Sequence, residues 1–381
     1  MAGVYIHIPF CRSRCIYCGF YSTTALDLRQ RYVDALCREM EIRSHRSEVR
    51  GERIETIYLG GGTPSQLTFD QLRQLFIYIN KVYPLTPDSS PLPPEITIEM
   101  NPDDVTVEFA AVLHQLPINR VSMGIQTFDD QRLRFLHRRH TSQQAIEAVS
   151  ILRAAGIRNI SIDLMYGFPG ETLADWEADI SAALALNVEH LSAYCLMIEE
   201  GTPLYRMLKQ HTGDEETERQ MYEVLIDRLT TADYEHYEIS SFARPGFRSR
   251  HNSSYWNGTP YIGLGAAAHS YDIRSRSWNV ADIRQYIEGM ERCERIFEEE
   301  QLDDDTRYND IVTVALRTRE GIDLNALSEK YRNYCIKNAR RYLDDGLLEL
   351  TSPLSPVTSH LRLTRRGLFV SDMVMSNLMM V

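Results

Sequence analysis

Two apolar periods take turns along the first half of the chain. Val4 to Ile8 is a β-branched and aromatic run with His7 inside it, stopped by Pro9, and predicts a buried strand. From Leu28 to about Ser47 the spacing becomes helical, with Tyr32, Val33, Leu36, Cys37 and Met40 on one face. Ile54 to Leu59 predicts the next strand and runs into Gly60-Gly61-Gly62-Thr63-Pro64. Thr68 to Gln71 then has the form of a capping box for a helix through Val82, with Leu72, Leu75, Phe76 and Ile79 on one side. Strands are expected at Glu95 to Met100, Arg120 to Gln126, Asn159 to Met165 and Glu189 to Leu196. Helical patterns at about 106–115, 142–155 and 172–186 alternate with them. Six strand-helix units in succession imply a parallel sheet or barrel. Pro84 to Pro94, with five of the fifteen prolines, reads as an exposed loop inside this region and not as its boundary.

The pattern then changes. Asp214 to Asp233 reads as a helix and Glu235 to Ser240 as a short strand. A basic stretch with Arg244, Arg248 and Arg250 leads to a loop carrying His251-Asn252-Ser253-Ser254-Tyr255-Trp256. Pro260 to Tyr271, with Gly263, Gly265 and Ala266 to Ala268, has the small residues of a backbone that approaches something closely. From about 305, Tyr308 to Thr318, Leu324 to Tyr331 and Tyr334 to Asp345 are three short helical patterns ended by Gly346. Strand-like Leu347 to Leu350 and Leu361 to Leu363 flank the turn-rich Ser352 to Ser359, and three helices with a small hairpin resemble a winged-helix module. Met373 to Val381, with four methionines, reads as a frayed helix packed on the core, with a soft interaction surface as the alternative.

Composition narrows the class without naming it. With 381 residues, 43% hydrophobic and 25% charged, the chain is an ordinary globular one of two or three domains. A formal net charge of -12 argues against general affinity for nucleic acid or anionic membrane, and so against a DNA-binding use of the winged-helix-like part. Lys337, Arg340 and Arg341 fit a protein-contact or lid role better. The longest apolar run, Tyr261 to Ala268, is far short of the roughly 20 residues of a membrane helix. Cys11 stands ten residues after Met1, so no targeting peptide is expected, and the chain reads as cytoplasmic.

Three of the seven cysteines, Cys11, Cys15 and Cys18, fall within eight positions just after the first strand, while Cys37, Cys195, Cys293 and Cys335 are scattered as in a reduced protein. Thiolates suit zinc or an iron-sulfur cluster. Structural zinc wants four ligands, usually from two pairs, and no second pair follows. Three ligands on a four-iron cluster leave one iron open to a further ligand, so the spacing reads as a reactive cluster. Glu99, Asn101, Gln126 and Asp163 recur at the C-terminal ends of successive strands, the edge at which parallel α/β folds bind ligands. The cysteine loop and the Gly60 loop share that rim.

Together these positions resemble the radical S-adenosylmethionine (SAM) proteins of the oxygen-independent coproporphyrinogen oxidase group. The residues that carry the likeness are the Cx3CxxC run, the GGGTP loop, Glu99 with Asn101-Pro102, Gln126, and Asp163 in Ile162 to Gly170. Phe20 stands where the coproporphyrinogen-oxidising enzymes carry a further cysteine, and His251 to Trp256 matches the HNxxYW motif of the group's heme-chaperone branch. The resemblance implies an incomplete (β/α)6 barrel over 1–230, a connecting region with the motif over 231–304, and a small winged-helix-like α+β domain over 305–381. It implies a [4Fe-4S] cluster on Cys11, Cys15 and Cys18. SAM would be lined by Tyr5, Tyr17, Gly61, Gly62, Thr63, Glu99, Gln126, Arg138 and Asp163, with Cys195 and His269 as backbone contacts. Heme would meet His251, as a ligand of its iron, and Asn252, Tyr255 and Trp256, with Arg244, Arg248 and Arg250 at its carboxylates. The implied function is heme binding and transfer to acceptor proteins, with an electron donor as a further partner; oxidative decarboxylation of coproporphyrinogen III is the alternative.

Overall fold

The computed structural model describes residues 2–44, 54–83, 92–208, 214–351 and 359–380. Residues 45–47 of the first expected helix, 84–91 of the proline-rich stretch, 352–358 of the C-terminal turn and 381 lie outside the described residues. Six strands follow the expected order: β1 (Ala2–Ile8), β2 (Ile54–Gly61), β3 (Glu95–Met100), β4 (Arg120–Gln126), β5 (Asn159–Tyr166) and β6 (His190–Cys195). Each pairs in parallel with the next. Helices Arg29–Ser44, Phe69–Val82, Val107–Leu113, Ser142–Ala154 and Leu173–Ala185 connect them and Glu215–Thr231 follows. Thr68 and Gln71 form the capping box reciprocally.

The next region is part of the sheet and not a separate connection. β7 (Glu235–Glu238) and β8 (Ser241–Ala243) extend the β6 edge, β8 running antiparallel to it. β9 (Tyr261–Leu264) returns to pair in parallel with β1, and β10 (His269–Tyr271), β11 (Ser275–Asn279) and β12 (Phe297–Gln301) continue antiparallel beyond it. The order is β12-β11-β10-β9-β1-β2-β3-β4-β5-β6-β8-β7. Seven parallel strands thus form the centre, and the sheet is a barrel left open between β12 and β7.

A second, separate core belongs to the C-terminal part. It is built on β13 (Ile322–Asp323), β14 (Leu348–Thr351) and β15 (His360–Leu363), ordered β13-β15-β14, with helices Asp304–Ala315, Glu329–Asp344 and Ser371–Leu378. The separate helix expected at Leu324 to Tyr331 is absent. Asp323 accepts from the Asn325 N-H at 2.9 Å, which holds that stretch in a turn, and the helix starts at Glu329 and runs through the next pattern. The final helix packs as expected, with Val374, Met375 and Leu378 buried. No helix among the described residues is long and apolar enough to cross a membrane.

Helix Arg29–Ser44 carries the expected apolar face, but Glu39 and Arg43 are buried with it. Glu39 accepts from Tyr286 Oη at 2.7 Å, Asn279 Nδ2 at 2.8 Å and the Gly265 N-H at 2.9 Å, and pairs with Arg43 at 3.3 Å and Arg295 at 3.8 Å. Arg43 donates to Gly263 O at 2.7 Å and Ser270 Oγ at 3.1 Å. One carboxylate therefore joins the first helix to Gly265 just past β9, to β11 and to helix Ile283–Glu291.

The barrel interior is polar. His190 is fully buried, with Ser161 Oγ at 2.7 Å from Nδ1 and Tyr237 Oη at 2.7 Å from Nε2. Burial holds it neutral, well below the usual histidine range, and the Arg120 charge adds to this. Below pH 6.5 the unfolded chain takes up a proton at this residue that the native chain refuses, so stability falls as the pH falls. A His190→Gln variant should lose less stability than the unaltered chain between pH 6.5 and 5, by up to about 1.4 kcal/mol per pH unit. Chemical denaturation at both pH values measures this, and parallel pH profiles would refute it.

Candidate functional site

The cysteine loop leaves the C-terminal end of β1 and is fastened by backbone bonds to its own far end, to the cap of helix Asp130–Phe135 and to helix Pro203–Leu208. Cys11 N-H donates to Thr23 O at 2.9 Å, Ile16 N-H to Leu136 O at 3.3 Å, and Leu204 N-H to Ile16 O at 2.9 Å. Ile16 is buried with Leu136, Met165, Phe168, Leu196 and Leu204, and Phe10 packs edge-on against Tyr32. Cys11 Sγ lies 3.5 Å from Thr63 Oγ1 and Cys15 Sγ 3.5 Å from Arg138 Nη1. Burial raises the Cys11 and Cys18 thiols, and the neighbouring cysteines raise them further, so the three feel one another. Among the described residues, no three His, Cys, Asp or Glu side chains are arranged around a single-ion site.

β2 continues two residues beyond its expected end, into Gly60-Gly61. Gly61 has φ +108°, and a Cβ there would lie 2.5 Å from the His7 ring; a Cβ on Gly62 would lie 2.6 Å from Pro9 C. These glycines are thus required by the chain's own β1 end. Thr63 follows, buried, and accepts from Asn101 Nδ2 at 3.3 Å. Asn101 Oδ1 accepts from Arg138 Nη2 at 2.7 Å, and the same Nη2 lies 2.5 Å from Gly124 O. Glu99 accepts from Tyr58 Oη at 2.8 Å and the Gly61 N-H at 3.0 Å. Its carboxyl is raised by burial and drawn back by those two bonds. Gln126 is buried at φ +73°, just past a bulge in the β4–β5 register, a costly conformation for a residue with a side chain. Asp163 is pushed up to about 7 by burial and by Glu99, against the opposing effect of Arg120.

Cys11, Cys15, Thr63, Asn101 and Arg138 therefore form one continuous chain of contacts, with Glu99, Gly61 and Asp163 coupled beside it. Tyr17 lies against it: burial raises its hydroxyl, with the Arg138 charge opposing and Cys15 adding. Tyr5 Oη is 3.1 Å from His7 Nδ1, and its ring stacks on Tyr58. Cys195 and His269 stand apart. The Cys195 thiol is pushed up to about 12 by burial and the Glu218 charge, and the exposed His269 stacks on Trp278.

The HNxxYW run is a helix, Arg250–Trp256, capped by Ser249, where a loop was expected. It lies under the opposite end of the barrel, against Gly3 and Thr56 at the starts of β1 and β2. Glu95 accepts from the N-H groups of Arg250 and His251 at 3.1 and 3.0 Å. His251 is 1% exposed, with Thr56 Oγ1 at 2.8 Å from Nδ1, Tyr255 Oη at 2.9 Å from Nε2, and its ring stacked 5.0 Å from Tyr58. Burial, with Arg120 adding, pushes it down to about 3. The expected free imidazole for heme iron is therefore not presented here, because both ring nitrogens are engaged. Asn252 offers its N-H to the Ser249 cap, Tyr255 meets Tyr261 edge-on, and Trp256 lies under the Arg317 guanidinium at 5.2 Å.

The three arginines assigned to heme carboxylates are also engaged. Arg244 bonds Ala232 O and Asn187, Arg248 bonds Glu235 and Glu320, and Arg250 bonds Pro93 O and Glu55 O.

Two residues escaped the sequence reading. Tyr58 touches both His251 and Glu99, so it bridges the two ends of the barrel. Arg120 is 1% exposed, with Nε and Nη1 buried and unpartnered among the described residues, and its charge bears on Glu99, Asp163, His190 and His251. The available signal was the polar alternation Arg120, Ser122, Gly124, Gln126 against apolar Val121, Met123, Ile125.

The radical SAM superfamily model matches residues 5–183. The heme chaperone HemW of Bacillus subtilis is 34% identical over 343 residues, 87% of each chain. That of Mycobacterium tuberculosis (strain H37Rv) is 33% identical over 385 aligned residues, 99% of this chain and 94% of that one. The chain belongs to the HemW family. The solved structure of Escherichia coli coproporphyrinogen III oxidase (HemN) matches with a TM-score of 0.82 over 99% of this chain and 89% of that one, at 22% identity, which shows a common fold. Membership of the HemW family, within the radical SAM superfamily, implies a [4Fe-4S] cluster and SAM. The residues at hand fit both. Three thiols share one anchored loop with a cation at Cys15, and Arg138 keeps a buried Nε without a partner among the described residues.

Proposed function

We propose that this chain is a heme chaperone, which binds heme and passes it to acceptor proteins while carrying a cluster on Cys11, Cys15 and Cys18 and an exchangeable SAM. The observation that carries the reading is near full-length similarity to HemW proteins in a chain whose HNxxYW run is an ordered part of the barrel floor. When bound, the cluster supplies an open iron for SAM and an electron delivered by a donor protein.

The chain's own residues position and shield. Glu99 accepts from the SAM ammonium, Arg138 pairs with its carboxylate, and Asp163 accepts from ribose hydroxyls. Gly61, Gly62 and Thr63 hold the rim, Gln126, Tyr5 and Tyr17 close its sides, and Cys195 and His269 contribute backbone only. Heme meets the motif helix from outside, at Asn252, Tyr255 and Trp256. Ligation by His251 requires the ligating nitrogen to give up its hydrogen bond, to Thr56 or to Tyr255, so His251 holds the helix until heme arrives.

Anaerobic heme titration of the cluster-reconstituted chain tests the reading. Saturable one-to-one binding, followed by transfer to an added apo-hemoprotein, is the expected outcome. No binding, together with SAM-dependent turnover of coproporphyrinogen III, would replace it with the enzyme reading.

A further inference from the structure

A cleft of ≈ 340 Å³ runs along the seam between the barrel and the C-terminal part. The seam is a backbone one: Ile239 N-H donates to Arg317 O and Arg319 N-H to Tyr237 O, both at 3.0 Å, with a bridge between Glu238 and Thr318. Four arginines line the cleft, in a chain of net charge -12. Arg362 is paired with Glu349 at 2.7 Å and Arg365 with Asp227 at 2.6 Å. Arg317 and Arg319 have no hydrogen-bond or ion-pair partner for their side chains among the described residues, and the buried Nε of Arg317 is orphaned. Burial raises the remaining carboxyl, Glu238, which weakens its claim on Arg317. Ile226, Ile239, Leu363 and Leu368 give the cleft an apolar wall, and His236, Thr318 and Thr364 complete it. Arg317 covers Trp256, the last residue of the HNxxYW helix.

A guanidinium without a partner in a half-apolar cleft suits a carboxylate on an apolar body, because the planar fork takes both oxygens and the body covers the aliphatic wall. The geometry points to this cleft as the carboxylate-binding part of the heme site, with Arg317 and Arg319 receiving the porphyrin's acidic side chains and Trp256 at the edge of the ring. The assignment rests on the heme reading above and replaces Arg244, Arg248 and Arg250, which the fold has already engaged.

The test compares hemin with its dimethyl ester, in which both carboxylates are neutral, on the cluster-reconstituted full chain. The unaltered chain should bind the free acid at least roughly tenfold more tightly, as expected for a charge-assisted hydrogen bond. An Arg317→Ala, Arg319→Ala double variant should bind acid and ester alike, at the ester's affinity. Arg319 is exposed and unpartnered, so Arg319→Glu leaves the fold intact and should weaken the acid alone. Arg244→Ala should keep the full preference. A double variant that still prefers the acid would overturn the cleft and leave the heme reading standing. Failure of the unaltered chain to bind either compound would overturn both.

Discussion

Replacing Glu39 by alanine is expected to destabilise the chain by about 3–5 kcal/mol, the cost of breaking a buried charge network from one side. The carboxylate is fully buried and faces two arginines whose side chains are 1% and 4% exposed. Its removal leaves both cations with less compensation than their burial requires. It also strips the acceptor from Tyr286 Oη and the Gly265 N-H, bonds of 2.7 and 2.9 Å. Glu39→Gln keeps the shape and most hydrogen-bond capacity but not the charge, so it should fall between the two. The exposed Arg31–Glu291 pair, 2.8 Å apart, is the contrast: Arg31→Ala should cost under about 1 kcal/mol. Urea midpoints of the three variants order them, and an unshifted midpoint for Glu39→Ala would remove the network from the account. The effect reaches function because this carboxylate holds Gly265, the residue that follows β9, against the first helix, and β9 is the strand beside β1, which delivers the cysteines.

The sequence made the local elements legible where one period ran long enough. β3 and β4 have their expected limits, and the Thr68 capping box is built as its spacing implies. β9 to β12 were missed because they are short and lack apolar alternation; every residue of β12, Phe-Glu-Glu-Glu-Gln, is exposed, and its place comes from pairing with β11 alone. The HNxxYW helix had a local signal, Ser249 before a run with His251 and Tyr255 four apart, but neighbouring glycines and arginines made a loop the simpler reading. Contacts at the rim join residues 52, 37 and 123 positions apart, from Cys11 to Thr63, Asn101 to Arg138 and Cys15 to Arg138. No local pattern encodes those distances, so family resemblance, and not periodicity, brought these residues together. The same limit explains the misassigned arginines. A basic stretch beside the motif looks available in sequence, and only the folded chain shows that Glu235, Glu320 and four backbone or amide oxygens, those of Ala232, Asn187, Pro93 and Glu55, already hold it.

A Cys15→Ala variant, reconstituted anaerobically, is expected to lose its cluster, falling from about four irons per chain to about none, because two thiolates on one loop do not retain a cubane. The scaffold should survive. Among the described residues Cys15 Sγ meets Arg138 Nη1 at 3.5 Å and the Tyr17 side chain, and the loop is held by the backbone bonds of Cys11, Ile16 and Leu204. Circular dichroism and the urea midpoint of the metal-free variant should therefore match those of the metal-free parent. Cys335→Ala gives the opposite pattern: this thiol is fully buried in the C-terminal core, so its loss should lower stability by about 1–2 kcal/mol while iron stays at about four. Iron and acid-labile sulfide assays read both variants. Full iron in Cys15→Ala would mean that the cluster is held elsewhere. Loss of iron with a collapsed fold would mean that the loop depends on its thiols, contrary to the backbone anchoring seen at Thr23, Leu136 and Leu204.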